Sequence, residues 1–320
     1  MTAISRRTFV VSAATASAVL GIDARFAFAE TKPSADAAAD GFHRFKVGDI
    51  EVTTLFDGQW LRPHEAGFIR NATVDDTKAA LAKAGLPTDG ITVPFTVTVV
   101  KTGGRTIMFD AGTGAQLAPT AGKMNASMAA AGIDPASIDM VVVTHFHPDH
   151  IFGLMAKDTN EQIYPKAEIV VPEAEFKWWM DDGVFTKLPE ARHGLAKRVQ
   201  ATLGKWSNVK QVGDGAEVAP GVVAVSTHGH TAGHTTFVAG SGNDQLIVLA
   251  DTSNIPALFV ANPGWHVMFD GDPVAAEAAR RRMFDRAIAD KAIITGYHFG
   301  MPGAGRIEKD GNGYAFVPLV

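Results

Sequence analysis

Apolar and polar positions alternate over several short stretches of this chain and take helical spacing over a few longer ones. Phe45 and Val47 alternate with polar residues, Gly48-Asp49 supplies a turn, and Ile50 to Phe56 returns, so Phe42 to Trp60 reads as a hairpin. Pro94–Lys101 and Thr106–Asp110 form a second hairpin across Gly103-Gly104. Met140 to Val143 is a short apolar run of buried-strand type. Further strands are expected at Val222–Ser226, Thr235–Ala239, Gln245–Ala250 and Ala292–Thr295, with a closing hairpin turning at Gly311-Asn312-Gly313. Helical spacing marks Asp75–Ala84, Lys123–Ala131, Pro172–Met180 and Leu188–Leu203. The best capped helix is Pro273–Ala289, where Asp272 is a natural N-cap and Pro273 suits the first turn. Strands come in runs with helices between the runs, which predicts an α/β sandwich: two sheets face to face, helices outside.

Composition narrows the function classes. The chain is 46% hydrophobic and 20% charged with a net charge of −5, which gives no electrostatic footprint for nucleic acid or anionic lipid. With no cysteine there are neither disulfides nor thiolate ligands, so any metal site must be built from His and carboxylate. Residues 1–29 read as an export signal. Ser5-Arg6-Arg7-Thr8-Phe9-Val10 is a twin-arginine pattern, the Ala-rich run to Gly21 is too short to span a bilayer, and Ala27-Phe28-Ala29 resembles a cleavage site. A periplasmic or secreted protein, exported already folded and without a membrane segment in its mature form, is the expectation. Residues 30–41 read as a flexible tether and 42–320 as one catalytic domain.

The chemistry concentrates where the Met140–Val143 strand ends, in His145-x-His147-x-Asp149-His150. Three imidazoles and a carboxylate packed this closely repel one another when charged and compete for partners when buried; divalent cations resolve the conflict. Three more ligand types each follow an apolar strand: His234, Asp251 and His298. The expected assignment is His145, His147 and His234 on one metal, Asp149, His150 and His298 on a second, and Asp251 bridging. Two metals about 3.5–4 Å apart would share a water and acidify it into a nucleophile, and Asp251 or Asp149 would pass a proton to the leaving group. Zinc is expected first, with Mn, Co or Fe as alternatives. His228 and His230 are read as orienting residues, and His43, His64, His193 and His266 as surface or packing residues.

His145-x-His147-x-Asp149-His150, His230-Thr-Ala-Gly-His234-Thr, Asp251 and His298 together resemble the metallo-β-lactamase superfamily. Gly41-Phe-His-Arg-Phe-Lys-Val-Gly-Asp-Ile-Glu-Val-Thr, His228-Gly-His-Thr-Ala-Gly-His-Thr-Thr and His298-Phe-Gly-Met-Pro-Gly-Ala-Gly-Arg-Ile look like its methyl parathion hydrolase and aryl-lactonase branch. N-acyl-homoserine lactonases are similar more distantly. The resemblance implies a four-layer αβ/βα sandwich holding two metal ions and acting on lactones, aryl esters or phosphotriesters. It also implies a substrate pocket shaped by Trp179 and, where the branch has Phe, Leu117. Homoserine lactonases carry a Tyr three residues beyond the bridging Asp, where this chain has Asn254.

The leading expectation is therefore a dinuclear hydrolase of a small, fairly apolar lactone or aryl ester, with phosphotriesters as a related or main activity. A mononuclear iron dioxygenase of thiols or persulfides needs only one metal, and the second ligand set with His298 stands against it. A thioesterase of the glyoxalase kind would need a basic cluster for an anionic thiol conjugate, and no such cluster is visible along the sequence. A non-catalytic metal carrier would have no use for an aromatic wall. A small-molecule substrate is the expected partner, and a homodimer stays open.

Overall fold

The computed structural model describes residues 41–319. The expected export signal, residues 1–29, and the tether up to residue 40 lie outside the described residues.

Fourteen strands build two seven-stranded sheets, each in sequential order. The first contains β1 (Phe42–Val47), β2 (Ile50–Arg62), β3 (Ile91–Thr102), β4 (Arg105–Phe109), β5 (Met140–Val142), β6 (Glu168–Pro172) and β7 (Val209–Val212). It is antiparallel through β4 and parallel from β4 to β7. The second runs from β8 (Glu217–Ala219) through β9 (Val222–Ser226), β10 (Thr235–Ser241), β11 (Asp244–Val248), β12 (Ile293–Thr295) and β13 (Ala304–Asp310) to β14 (Gly313–Pro318). Only β11 and β12 pair in parallel there.

Continuous apolar runs supply two cores at once, because successive side chains in a strand leave on opposite faces. Met140 and Val142 of β5 face the inter-sheet core with Phe237, Leu246 and Val248, while Val141 and Val143 face the outer core with Val97 and Val171. Ile247 and Val238 turn outward from the second sheet onto Met283 and Phe284 of the helix Pro273–Ala289. The result is the four-layer sandwich, helices on both outer faces. Each fully buried Val, Leu, Ile or Phe contributes about 1.5–3 kcal/mol, so this double-sided patterning fixes both sheet registers.

Pro273–Ala289 has the bounds its caps predict, with the Asp272 carboxylate accepting from Val274 N and Ala275 N. Val74–Lys83 is closed by a reciprocal Thr73–Asp76 capping box. Leu188–Leu203, expected as one helix, is instead a 3-10 turn at Glu190–Arg192 followed by an α-helix at His193–Ala201. Pro189 precedes that turn in extended backbone and cannot continue a helix from Leu188. The break it makes places Lys187, Leu188, Pro189 and Arg192 along a cleft. Among the described residues, no helix is long and apolar enough to cross a membrane.

Candidate metal centre

The strand β5 ends at Val142, and the backbone beyond it is drawn into place by Asp110 from the end of β4. Asp110 takes a left-handed φ of 63°, and its carboxylate accepts from Thr144 N at 2.8 Å and Thr144 Oγ1 at 2.9 Å. The same carboxylate faces His150 Nδ1 at 2.7 Å. His147 forms the N-cap of a single helical turn, Pro148–Ile151, in which Pro148 presets the first position. That turn swings His150 back beneath His145.

Two groups of ligand atoms result. His145, His147, His230 and Asp251 form one; Asp149, His150 and His298 form the other. In the first, His147 Nδ1 lies 3.0 Å from His145 Nε2 and 2.9 Å from His230 Nε2. In the second, Asp149 Oδ2 is 3.4 Å from both His150 Nε2 and His298 Nε2. Asp251 stands between them, with Oδ2 at 3.2 Å from His230 Nε2 and His298 Nε2 and Oδ1 at 3.3 Å from His150 Nε2.

Outward contacts decide what these inner nitrogens carry. His298 Nδ1 meets the Pro94 carbonyl at 2.8 Å, and a carbonyl only accepts, so Nδ1 is the protonated nitrogen in the neutral ring and Nε2 offers a lone pair. His150 and His230 turn Nδ1 onto the carboxylates of Asp110 and Asp270 in the same way. Bare imidazole nitrogens and carboxylate oxygens thus converge on one spot. His150 Nε2 and Asp251 Oδ1 are buried there without a hydrogen-bond partner. Buried polar atoms are seldom left so, and His orientation by an outer carboxylate or carbonyl is the usual support of a metal ligand. This donor set fits divalent cations of the zinc type.

Protonation divides the histidines into two kinds. Burial, reinforced by the neighbouring imidazoles, holds His145 and His147 well below the ordinary histidine range, leaving their lone pairs free. Burial also opposes charge on His150 and His298, but the facing carboxylates outweigh it and raise both. Asp251 is held well below the usual carboxylate range, its burial overcome by His298, His150 and His230.

Two expected roles are exchanged. His230, read as an orienting residue, stands in the first group, while His234, read as a ligand, does not. His234 Nε2 accepts from Asp251 N at 3.2 Å, and Nδ1 meets Thr227 Oγ1 at 2.8 Å. Both of its nitrogens are thereby spent on positioning the loop of Asp251, whose neighbour Ala250 has a left-handed φ of 46°. His145, His147, Asp149, His150, Asp251 and His298 do come together as expected. His43, His64, His193 and His266 contact Phe45, Thr88, Leu188 and Glu277 respectively, away from the centre. Asn254, at the position where homoserine lactonases have Tyr, donates to Asp251 Oδ2 at 3.2 Å.

Three residues that sequence reasoning did not single out hold the centre. Asp110 fastens Thr144 and His150. Asp270 links His230 Nδ1, at 2.8 Å from Oδ1, to the fully buried Arg280, 3.6 Å from Oδ2. Glu175, also fully buried, accepts from Phe146 N, Trp179 Nε1, Thr231 Oγ1 and Gly233 N at 2.7–3.0 Å. It ties the His145–His147 turn to the His230 loop. A Cβ on Gly233 would lie 1.9 Å from Glu175 N, so only glycine permits this approach.

A cleft of about 570 Å³ opens on the first group, lined by His147, His230, Trp178, Trp179, Leu188, Met268 and Phe269 among others. Trp179 contributes as expected but is almost fully buried and fastened to Glu175, whereas the half-buried Trp178 offers more surface. Leu117 is not among the residues lining the cleft; it packs against the outer core of the first sheet.

The sequence profile described as the Metallo-beta-lactamase superfamily matches residues 93–295. This chain belongs to that superfamily. Solved structures agree on the fold. AidC, a dizinc quorum-quenching lactonase solved with a product bound, is 23% identical, with a TM-score of 0.78 over 88% of this chain and 98% of its own. The hydrolase AbOPH is 22% identical with a TM-score of 0.80 over the same shares. A probable metal-dependent hydrolase from Staphylococcus aureus is 22% identical, with a TM-score of 0.67 over 86% of this chain and all of its own. The chain is thus a metallo-β-lactamase superfamily hydrolase with a candidate His/Asp metal site.

Proposed function

We propose that this protein is a dinuclear, zinc-type hydrolase that opens lactones and cleaves aryl esters, and that it works after export through the twin-arginine route. The observation that carries the reading is the position of Asp251: one carboxylate whose two oxygens face histidines of both ligand groups. Two divalent cations held there would polarise a carbonyl oxygen and lower the pKa of a shared water toward neutrality.

The chain's own residues supply the rest. His234 N-ε2 and the Asn254 amide fix the backbone and carboxylate of Asp251. Asp149, the more exposed of the two central carboxylates, has room to carry a proton to the departing alkoxide. Trp178, Met268 and Phe269 present an apolar wall beside His147 and His230, which suits the body of a lactone or aryl ester and excludes water from it. The dizinc lactonase among the structural relatives supports the lactone reading. Phosphotriester cleavage at the same centre is a secondary activity of this proposal.

The test is a panel of dihydrocoumarin, an acyl-homoserine lactone, phenyl acetate and paraoxon, run on zinc-, cobalt- and manganese-loaded protein. Turnover of the lactone or the aryl ester, abolished together in Asp251→Asn and His147→Ala, is the expected result. Turnover of none of them, or one activity surviving either substitution, contradicts the proposal.

A further inference from the structure

The charge of the cleft differs from that of the chain. Overall the protein carries a net charge of −5, yet the residues lining the cleft include Arg70, Lys187 and Arg192. Its two acidic lining residues are already committed. Asp270 is held between His230 and Arg280, and Asp272 caps the helix that begins at Pro273. Arg70 spends one terminal nitrogen on the carbonyls of Met268 and Asp270, each at 2.8 Å, and thereby stays pinned at the rim. Among the described residues, Lys187 and the half-buried Arg192 enter no salt bridge and no side-chain hydrogen bond. Lys187 ends the short helix Val184–Lys187 and Arg192 ends the 3-10 turn Glu190–Arg192, and the break at Pro189 between them brings both to the mouth.

We infer that the cleft is built for a substrate bearing an anionic group: a carboxylate, sulfonate or phosphate attached to an aromatic or other apolar body. Arg192 is the principal anchor of that group, and Lys187 and Arg70 assist. This rests on the hydrolase reading above and sharpens its substrate class. The apolar wall of Trp178, Met268 and Phe269 takes the body, while the cations take the charge, with Arg192 near enough to His147 to disfavour a proton on that ring. A guanidinium pairs bidentately with carboxylate or phosphate, and a partly buried cation is less screened than one in open water. Arg70 stands far along the chain from Lys187 and Arg192, so the three do not read as a cluster in the sequence. The expectation of a small, fairly apolar substrate is narrowed accordingly.

Two readouts on the metal-loaded protein test the inference separately from the hydrolase reading. In the first, quenching of tryptophan fluorescence, with Trp178 in the cleft, is titrated with 4-hydroxybenzoate and with its neutral isostere 4-hydroxybenzamide. At least tenfold tighter binding of the carboxylate is expected. That preference should fall to threefold or less in Arg192→Glu and in the independent variant Lys187→Glu/Arg70→Gln, and should weaken with added salt. In the second, 4-acetoxybenzoate should exceed 4-acetoxybenzamide at least tenfold in kcat/KM, chiefly through KM, with the ratio inverted in Arg192→Glu. If no ester is turned over but the binding preference holds, the hydrolase reading fails and the anionic site stands. Equal binding of the two ligands, or a preference unmoved by both variants, overturns the inference, since the carboxylate would then be bound elsewhere, for instance at the metals.

Discussion

At the scale of single residues, the exchange between His230 and His234 is the most informative result. Both lie in one seven-residue stretch, His228 to His234, and no spacing rule separates them. Loop direction does. Gly229, at φ 137°, and Gly233, pressed against Glu175, turn the His230 ring inward, while the His234 ring is consumed by Thr227 and the Asp251 amide. His230→Ala should therefore remove one bound metal, whereas His234→Ala should retain both ions and lose activity through a misplaced Asp251. Metal content by mass spectrometry beside kcat distinguishes the two; the opposite pattern would restore His234 as the ligand. Asp270→Asn leaves the His230 ring without its carboxylate, and a loss of about 10–100-fold in metal affinity is expected from the removal of such a support. Competition with a chromophoric chelator measures it.

At the scale of elements, patterning revealed most of the strands because each is a short apolar or alternating run feeding two cores. The strands β6, β7 and β8 are not legible in the pattern, being short and flanked by ordinary loop composition without a chemical motif at their ends. The candidate ligands Asp149, His150, Asp251 and His298 are legible because ionisable side chains at the ends of apolar strands are costly without a function. Glu175 is not, since on the helix Glu173–Met180 it sits among residues that a solvated face would also carry. Only tertiary structure shows it buried with its four donors. Glu175→Ala leaves those donors buried and unpaired, and a loss of roughly 3–5 kcal/mol is expected. At about 2–4 °C per kcal/mol for a domain of this size, the melting midpoint should fall by roughly 6–20 °C. An unchanged midpoint would show that the clamp between the His145 turn and the His230 loop contributes nothing.

At the scale of the whole molecule, two sheets and four separate loops are fastened together at one charged spot, so metal content and global stability are linked. In metal-free protein, Asp149, Asp110 and Asp251 outweigh burial and keep His150 protonated above its ordinary range, and Asp251 does the same for His298. Stability from such raised groups is complete below the unfolded histidine pKa of about 6.5 and is lost as pH rises through the folded values. Metal-free protein should therefore lose stability as the pH rises above about 6.5. Cations replace those protons in the loaded form, so the gap in melting midpoint between loaded and chelator-stripped protein should widen over that rise. A gap that stays constant or narrows would contradict this account of the centre.

The most direct test is anomalous X-ray scattering from crystals of the zinc-loaded protein. Two peaks are expected, about 3.5–4 Å apart: one among His145, His147 and His230, the other among Asp149, His150 and His298, with the Asp251 carboxylate between them. A single peak, or a metal on His234 with His230 turned away, would contradict the assignment on which the proposed hydrolysis depends.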